Sequence, residues 1–545
     1  MNQLSEDPQT RVLKLLARFS DPHASAANLL CDRHDPGAVA YTLVAPDTRS
    51  ADLRYGALRR DSEHLASALS SLGLGSGDRI ATLMGKGHAY LVTVMAIWRL
   101  GAVHVPLFTA FAPPAIAFRL IQSGCKLVVC DSAQRPKLAD DVMPSDPPWK
   151  VVTTGPADAA AVAYDELLAC GRPGFGAIAL GGEAPIVHIF TSGTTGTPKG
   201  VVVPLRALAS FQIYGEYALA LRADDVFWNA ADPGWAYGLY LGVLVTLLTG
   251  VRGILFEGGF SAASTLAVLS RYRVTNFAAA PTVFRALRAS GLSPPGDLRL
   301  RHISSAGEPL TREVSEWSTA VLGAPVHDHY GQTETGMLIN NHHHPQLSRP
   351  LKPGSMGQCL PGWKAAILHR DNNEPAPVGA PGRLAMQLAE SPLAWFSGYA
   401  GDPVESADKF STNQAWYFTG DSGYVDADGY YYFFGRDDDV ILMSGYRIGP
   451  VEVESVLLTH PAVSECAVIA IPDEVRGEVL EAVIVLCTEV TPSDALSCEL
   501  QEWVKRRYAA HAYPRRVHYV ASLPKTPSGK IQRFVLRRQL QGNAS

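Results

Sequence analysis

TSGTTGTPKG, residues 191–200, is the stretch on which the reading of this chain turns. Every residue in it except Lys199 is Thr, Ser, Gly or Pro. It follows APIVHIF (184–190), an apolar run that reads as a strand. Backbone N–H groups in a Gly-rich loop can converge into an anion-binding nest, and Thr and Ser hydroxyls add donors. Lys199 supplies a mobile positive charge for phosphate oxygens. The Walker A pattern GxxxxGK[ST] is absent. Taken alone, such a loop is more often a plain connector, so its meaning depends on what flanks it.

Outward from the loop, helix and strand alternate. Tyr55 to Leu72 has helical spacing (Leu65, Leu69, Leu72) and stops at Gly73. DRIATLM reads as a strand, HAYLVTVMAIWRL as a helix and AVHVPL as the next strand. Similar units follow from Arg206 to Phe256 and through VTNFAAAP and LRHISSAG. This order implies βαβ units and parallel sheets. The texture changes near residue 436. GYVDADGYYYFFG predicts a β-hairpin around an Asp-Gly turn, GPVEVESVLLTH an amphipathic helix and AVIVLC a strand. The fold class is therefore α/β: a large multi-sheet N-terminal body over 1–435 and a small α+β domain over 436–545. The junction GRDDDV (435–440) is polar and reads as exposed, as a hinge would be.

The chain has 545 residues, 47% hydrophobic and 18% charged, with a formal net charge of -5. That is a globular composition with no global basic field for nucleic acid. Eight scattered cysteines without a CxxC pair favour buried free thiols in a reducing, cytoplasmic setting over zinc or disulfides. The N-terminus MNQLSEDPQT lacks the basic and apolar regions of a signal peptide, and the C-terminal GNAS carries no lipidation signal. The most apolar run, from Tyr237 to Phe256, is broken by Gly250, Arg252 and Gly253. It reads as a buried helix and a strand, with no membrane span.

Four further motifs give the opening loop its context: SSAGEPL (304–310), YGQTETG (330–336), the run from Tyr417 to Ser455 containing TGDSG, GRDDDV and SGYRIGPVEVES, and PKTPSGKIQR (524–533). In this order and spacing the chain resembles, over essentially its whole length, the adenylate-forming (AMP-binding) superfamily. That superfamily includes acyl- and aryl-CoA synthetases, peptide-synthetase adenylation domains and luciferases. SGYRIGPVEVES is most similar to the medium-chain acyl-CoA synthetase and acetyl-CoA synthetase-like branch.

The resemblance implies a two-step reaction with ATP, Mg²⁺ and CoA. A carboxylate attacks the α-phosphate to give an acyl-adenylate and pyrophosphate, and the CoA thiol then displaces AMP. It further implies that Thr191, Ser192, Gly193, Thr194, Thr195, Gly196 and Lys199 hold the β- and γ-phosphates, and that Gly307, Glu308 and Pro309 wall the adenine. Asp328, His329, Tyr330, Gly331 and Gln332 border the nucleotide, with Thr333 near the α-phosphate and Glu334 on Mg²⁺. Asp421 and Arg436 match the ribose-binding pair, and Arg447 matches an arginine that reads the phosphates when the small domain closes. Lys530 matches the adenylation lysine and Asp438 the hinge. Ser444 and Gly445 would line the pantetheine tunnel. Lys505, in the basic run VKRRY, matches a CoA-phosphate contact, with a solvated helix face the equal alternative.

The acyl side is implied at Trp235, Ala236, Tyr237, Ala306 and Gly331. Acetyl- and propionyl-CoA synthetases similar to this chain carry a Trp where Gly331 stands. An indole replaced by hydrogen would open room for several methylenes, each worth about 0.8 kcal/mol on burial. Trp395 in PLAWFSGY could refill part of that space. The expectation is a short- to medium-chain carboxylic acid, with an aryl acid second and acetate third. A peptide-synthetase module would be followed by a carrier domain, and the chain ends fifteen residues after Lys530. Nothing in the sequence singles out luciferase-like oxygen chemistry. An inactive nucleotide-binding scaffold is the non-enzyme alternative, and the presence of Lys530, Glu334 and Asp421 speaks against it. The triple histidine 342–344 reads as a polar loop in preference to a metal site.

Overall fold

The structure is a computed structural model. It describes residues 6–542 except 140, 158–159, 192–197, 438, 440, 444–445, 474–476, 510–511 and 527–530; the side chains of 442–443, 446–447, 477 and 541–542 are also outside the description. The chain forms two compact units. One comprises Met1–Leu351, Gly357–Lys364 and Leu388–Asp408; the other comprises Lys352–Met356, Ala365–Gln387 and Lys409–Ser545.

The first unit contains two largely parallel layers, as the alternation predicts. One sheet runs, edge to edge, Ala161–Ala163, Lys150–Thr153, Cys125–Cys130, Arg79–Leu83, Val103–Pro106, Pro185–Phe190 and Gly200–Pro204. Only its last pair is antiparallel, with Phe190 opposite Gly200. The other runs Ser50–Arg54, Val39–Val44, Arg252–Phe256, Val226–Asn229, Asn276–Ala279, His302–Ala306, Val326–Gln332 and Gly336–Asn340. Val326–Gln332 and Gly336–Asn340 form an antiparallel hairpin whose strands meet at Gln332 and Gly336, and Ser50–Arg54 is antiparallel to Val39–Val44.

The helix Tyr55–Ser71 buries Leu58, Leu65 and Leu69 on one face. His88–Arg99 is buried nearly all round, as a core helix should be. Its Arg99 is paired with Asp32 at 2.9 and 2.6 Å, which satisfies the buried guanidinium. The apolar run from Tyr237 forms a wide-turned helix over Gly238–Val245, an α-helical turn over Thr246–Thr249 and the strand Arg252–Phe256. The expected helix and strand are thus both present. Among the described residues, no helix is long and apolar enough to cross a membrane.

In the second unit an antiparallel meander joins Ala365–Leu368, Gly382–Gln387, Trp416–Val425 and Tyr431–Arg436. The last two strands are the hairpin predicted from GYVDADGYYYFFG. Asp426 accepts the Asp428 and Tyr430 N–H groups, and Gly429 takes the left-handed conformation (φ 80°) that the turn needs. A second sheet orders Tyr446–Ile448, Ile441–Met443, Gly477–Leu486 and Val463–Asp473, and Arg516–Tyr519 runs parallel to Gly477–Leu486. The predicted helix is Pro450–Leu457, and it packs on the strand Tyr431–Arg436.

Residues 435 and 436, between which a boundary was expected, both belong to the second unit. The exposed junction expected in GRDDDV is corrected. Asp437 pairs with Arg370 at 2.5 Å and with Arg383 at 3.3 Å, and its N–H donates to Gly420 O at 2.9 Å. Asp439 pairs with Arg533 at 3.5 Å and with Arg537. Asp437 and Asp439 stay near the interior because arginines neutralise them. All eight cysteines are free, as expected, but Cys170 and Cys498 are exposed where burial was anticipated.

Candidate active site

The opening loop is the tip of the antiparallel hairpin Pro185–Phe190/Gly200–Pro204. Thr191 N–H donates to Lys199 O at 2.9 Å and closes its base. Ser192, Gly193, Thr194, Thr195 and Gly196 lie outside the described residues, so Thr191 and Lys199 are the placed members of the set. The Lys199 ammonium is ion-paired with Glu405 and lies 5.3 Å from the centre of the Tyr399 ring. Tyr399 in turn donates its hydroxyl to Glu334 Oε1 at 2.7 Å, a buried contact. One chain of contacts thus links Glu405, Lys199, Tyr399 and Glu334, joining the base of the 191–199 loop to the tip of the hairpin that carries Glu334.

Tyr399 and Glu405 were not singled out from the sequence. Their signal was present in GYAGDPVESA: Asp402, Pro403 and Glu405 stand at the N-cap, first and third positions of a helix. The short helix Pro403–Ala407 forms there, and the Asp402 carboxylate accepts Glu405 N–H at 3.1 Å. A capping box would turn the Glu405 side chain back to Asp402 N–H. That N–H donates to Tyr399 O at 3.3 Å, and Glu405 reaches Lys199. Ser406 Oγ accepts Tyr399 N–H at 2.8 Å, and Ala400 N–H donates to Gly200 O at 2.8 Å, tying the segment to the loop's own strand.

Glu334 sits at the tip of the hairpin Val326–Gln332/Gly336–Asn340, 8% exposed. Tyr240 fixes the tip by donating to Thr333 O at 3.0 Å, and its ring stacks on Phe211 at 4.6 Å. Trp395 meets the edge of Phe211 at 6.4 Å. His329 Nδ1 accepts from Tyr214 Oη at 2.7 Å, while Nε2 donates to Asn341 O at 3.1 Å. Burial holds this imidazole well below its usual pKa, so it is neutral. Burial also raises the Asp328 carboxyl well above the ordinary range. Ala306, 1% exposed, ends the parallel neighbour strand and is in register with His329. Beyond it, Gly307 and Pro309 are exposed. Glu308 accepts from Thr282 Oγ1 at 2.8 and 2.9 Å and pairs with Arg285, so its carboxylate is committed to the helix Pro281–Ala289.

Gly331 has a different structural reason from the one expected. A Cβ at this position would lie 2.2 Å from Gly336 O and 2.7 Å from Met337 Cα, both backbone atoms of the facing strand. The register slips between Tyr330 and Gly331. The space on that side of residue 331 is filled by main chain, and the glycine permits the close approach. Trp235 packs 5.4 Å from Phe108 and 5.2 Å from Phe111. The Arg119 guanidinium lies 4.1 Å over Phe111, and burial draws it down to about 10. Ala236 is partly buried, and burial followed by the Asp328 charge pushes the Tyr237 hydroxyl up.

The triple histidine lies in a loop, as expected, but a largely buried one. His343 stacks 4.1 Å from His302 and 3.7 Å from His327, and its Nε2 meets Ser304 Oγ at 3.0 Å. His342 is also buried, with Nε2 3.2 Å from Cys359 O. Stacked neutral rings pack like other aromatics. Among the described residues, no group of three or more His, Cys, Asp or Glu is arranged to hold a metal.

Within the second unit, Asp421 and Arg436 face each other across adjacent strands and pair at 2.9 Å, with Asp421 4% exposed. Asp421 N–H donates to Thr419 Oγ1 at 3.0 Å. Arg447 lies on the strand Tyr446–Ile448, its side chain outside the description. Lys505 is in the last turn of the helix Asp494–Arg507, 2.5 Å from Glu502 and 4.2 Å over the Tyr513 ring. Asp438, Ser444, Gly445 and Lys530 lie outside the described residues. Three residues beyond Lys530, Arg533 pairs with Glu454 at 2.7 Å in the interior.

Comparison with known proteins completes the picture. The AMP-binding enzyme family model matches residues 31–399, and the AMP-binding enzyme C-terminal domain model matches 452–530. The chain is 36% identical to acetyl-coenzyme A synthetase of Bacillus subtilis (strain 168) over 90% of its own length and 85% of that protein's. It is also 36% identical to the mitochondrial acyl-coenzyme A synthetase ACSM4 of Rattus norvegicus, over 87% and 81%. Among solved structures, an acyl-CoA synthetase of Brucella canis matches with a TM-score of 0.76 and 42% identity, covering 99% of this chain and 98% of that one. The anthranilate CoA ligase AuaEII, solved with anthranoyl-AMP, matches with a TM-score of 0.85 at 27% identity over 96% and 98%. With the motif-bearing hairpins in place and both family domains matched, the chain belongs to the AMP-binding enzymes as an AMP-forming acyl-CoA synthetase, a ligase that joins an acid to the CoA thiol using ATP.

Proposed function

We propose that the acid is a short- to medium-chain monocarboxylate, linear or branched, activated in the cytoplasm for fatty-acid metabolism. A carboxylic acid with a pKa of about 4 to 5 is already ionised at neutral pH, so its attack on the α-phosphate needs no general base. The difficulty is electrostatic, an anion meeting a polyanion, and positive charge with preorganised donors is the remedy. Lys199 would hold the terminal phosphates, Thr333 the α-phosphate region, Asp421 and Arg436 the ribose, and Lys530 the reacting oxygens. Arg447, Ser444, Gly445 and Lys505 would serve the closed and CoA-bound states, with Asp438 as pivot. Glu334 fits Mg²⁺, a hard cation that takes one or two carboxylates together with substrate phosphates and keeps its waters. When bound it would neutralise phosphate charge; the Tyr399 hydroxyl orients the carboxylate that would hold it.

The observation that carries the choice of acid is that Trp235, Ala236, Tyr237 and Ala306 bring no charge to the stretch expected around the acyl group. A neutral chain loses nothing there, whereas a second carboxylate would be desolvated without a partner among them. An aryl acid is the second reading, favoured by the Trp235, Phe108 and Phe111 rings. The test is a panel of acids from acetate to decanoate, with benzoates and dicarboxylates, followed by AMP and thioester formation with ATP, Mg²⁺ and CoA. Highest kcat/KM between about four and ten carbons supports the proposal. Preference for a dicarboxylate overturns it and turns attention to Arg119, the cation over Phe111. The free thiols support the compartment.

A further inference from the structure

The ion pair on Lys199 is not explained by the reaction as described. A lysine that grips phosphates is here engaged by a carboxylate of its own chain. The two partners are unequally placed: the Lys199 side chain is 13% exposed and that of Glu405 is 38% exposed. An ammonium at that depth is costly to leave without a counter-charge. The carboxylate stands on the solvent side and can turn into water at little cost. Lys199 also has the Tyr399 ring beneath it at 5.3 Å, which keeps the ammonium in place whether or not Glu405 is engaged. The backbone of Glu405 does not depend on the pair, since Asp402 caps its helix at 3.1 Å and Ser406 anchors Tyr399 at 2.8 Å. The arrangement is a fixed cation with a displaceable anion.

We propose that Glu405 is the resident counter-ion of Lys199. It satisfies the ammonium in the nucleotide-free protein, yields it to the terminal phosphates of ATP, and reclaims it as pyrophosphate leaves. This rests on the reading of Lys199 as a phosphate-holding residue. Several phosphate oxygens outcompete one carboxylate for the ammonium, so the exchange runs forward on binding. The same competition lowers the affinity for both ATP and pyrophosphate. It therefore favours departure of the first product, in a class of step that commonly limits turnover.

The test uses the full chain and Glu405→Gln, which keeps the shape and removes the charge. Direct titration with inorganic pyrophosphate and with ATP should show Kd lower by about threefold to fivefold, the range for freeing one partner of a pair at this exposure. Product inhibition by pyrophosphate should tighten by the same factor. Glu405→Asp should restore wild-type Kd values, and in a Lys199→Met background Glu405→Gln should change neither. A role confined to holding the short helix would lower the melting temperature in Glu405→Gln without tightening either ligand. Unchanged or weakened pyrophosphate and ATP binding in Glu405→Gln of an active enzyme overturns the inference and leaves the function standing. A wild-type protein that releases no pyrophosphate with any acid overturns the function instead, and one that also binds no pyrophosphate removes the ground for both.

Discussion

Adding a single methyl at residue 331 separates two explanations of that glycine. With Gly331→Ala, the new Cβ would stand 2.2 Å from Gly336 O, 2.7 Å from Met337 Cα and 2.8 Å from Gly336 C. Ordinary contact requires a displacement of roughly 1 Å, and backbone atoms cannot rotate away as a side chain can. Overpacking of this kind costs about 1–3 kcal/mol. The displaced residues adjoin the tip that carries Thr333 and Glu334, so the damage should reach the nucleotide. We expect Gly331→Ala to lower the melting temperature by a few degrees and to raise KM for ATP several-fold, with the rank order of acids unchanged. Gly331→Trp should do both more severely. Thermal unfolding followed by tryptophan fluorescence, together with ATP and acid kinetics, reads the two effects separately. If Gly331→Trp keeps wild-type stability and ATP kinetics while confining the enzyme to acetate, the reasoning is refuted: the strand yields cheaply, and side-chain volume at 331 sets chain length.

Three further outcomes are expected. Tyr399→Phe removes the 2.7 Å donor to Glu334; a buried hydrogen bond to a charged group is worth about 1.5–3 kcal/mol, so kcat/KM should fall roughly tenfold or more with a higher Mg²⁺ requirement, and an unaltered Mg²⁺ titration would contradict that link. Arg533→Met leaves Glu454 buried without its 2.7 and 2.8 Å partner contacts, a loss of about 3–5 kcal/mol; hydrogen exchange should accelerate in the strand Val463–Asp473, whose Val468 N–H donates to Glu454 Oε1 at 2.8 Å. Acid should destabilise the first unit through its buried histidines, because burial lowers His327 and His342 to about 4 and His343 well below its ordinary value, with neighbouring rings and Arg301 acting in the same direction on His343. Their folded pKa values lie below the unfolded value of about 6.5, so the unfolded state binds more protons between these limits. The contribution is complete above about pH 6.5 and is lost toward pH 4; a melting temperature that stays flat across that window would refute it.

Much of this architecture follows from local pattern. The strand readings DRIATLM and AVHVPL, the helix HAYLVTVMAIWRL and the Asp-Gly hairpin rest on periodicity and turn chemistry, which act over a few residues, and each is present. What local pattern does not encode is partnership at a distance. Lys199 and Glu405 are separated by 206 positions and Glu334 and Tyr399 by 65, and their pairing depends on which strand edge the 398–402 segment adopts. Asp437 and Asp439 looked solvated because acidic runs usually are, and only the fold reveals the arginines that draw them inward. His343 looked like an exposed loop residue because its ring partners, His302 and His327, arrive from distant strands. At Gly331 the family pattern pointed toward a ligand, whereas the missing Cβ meets a neighbouring backbone.

The anchoring of Asp437 and Asp439 bears on how a swivel at Asp438 would behave. On one side Asp437 is moored to Arg370, Arg383 and the Gly420 carbonyl; on the other Asp439 is moored to Arg533 and Arg537 of the C-terminal helix Arg533–Gly542. A flexible tether would let the following segment drift through a continuum of poses. Moorings on both sides of Asp438 would concentrate torsion into a few backbone bonds, so a swivel there would behave as an axle with detents, favouring a small number of discrete settings.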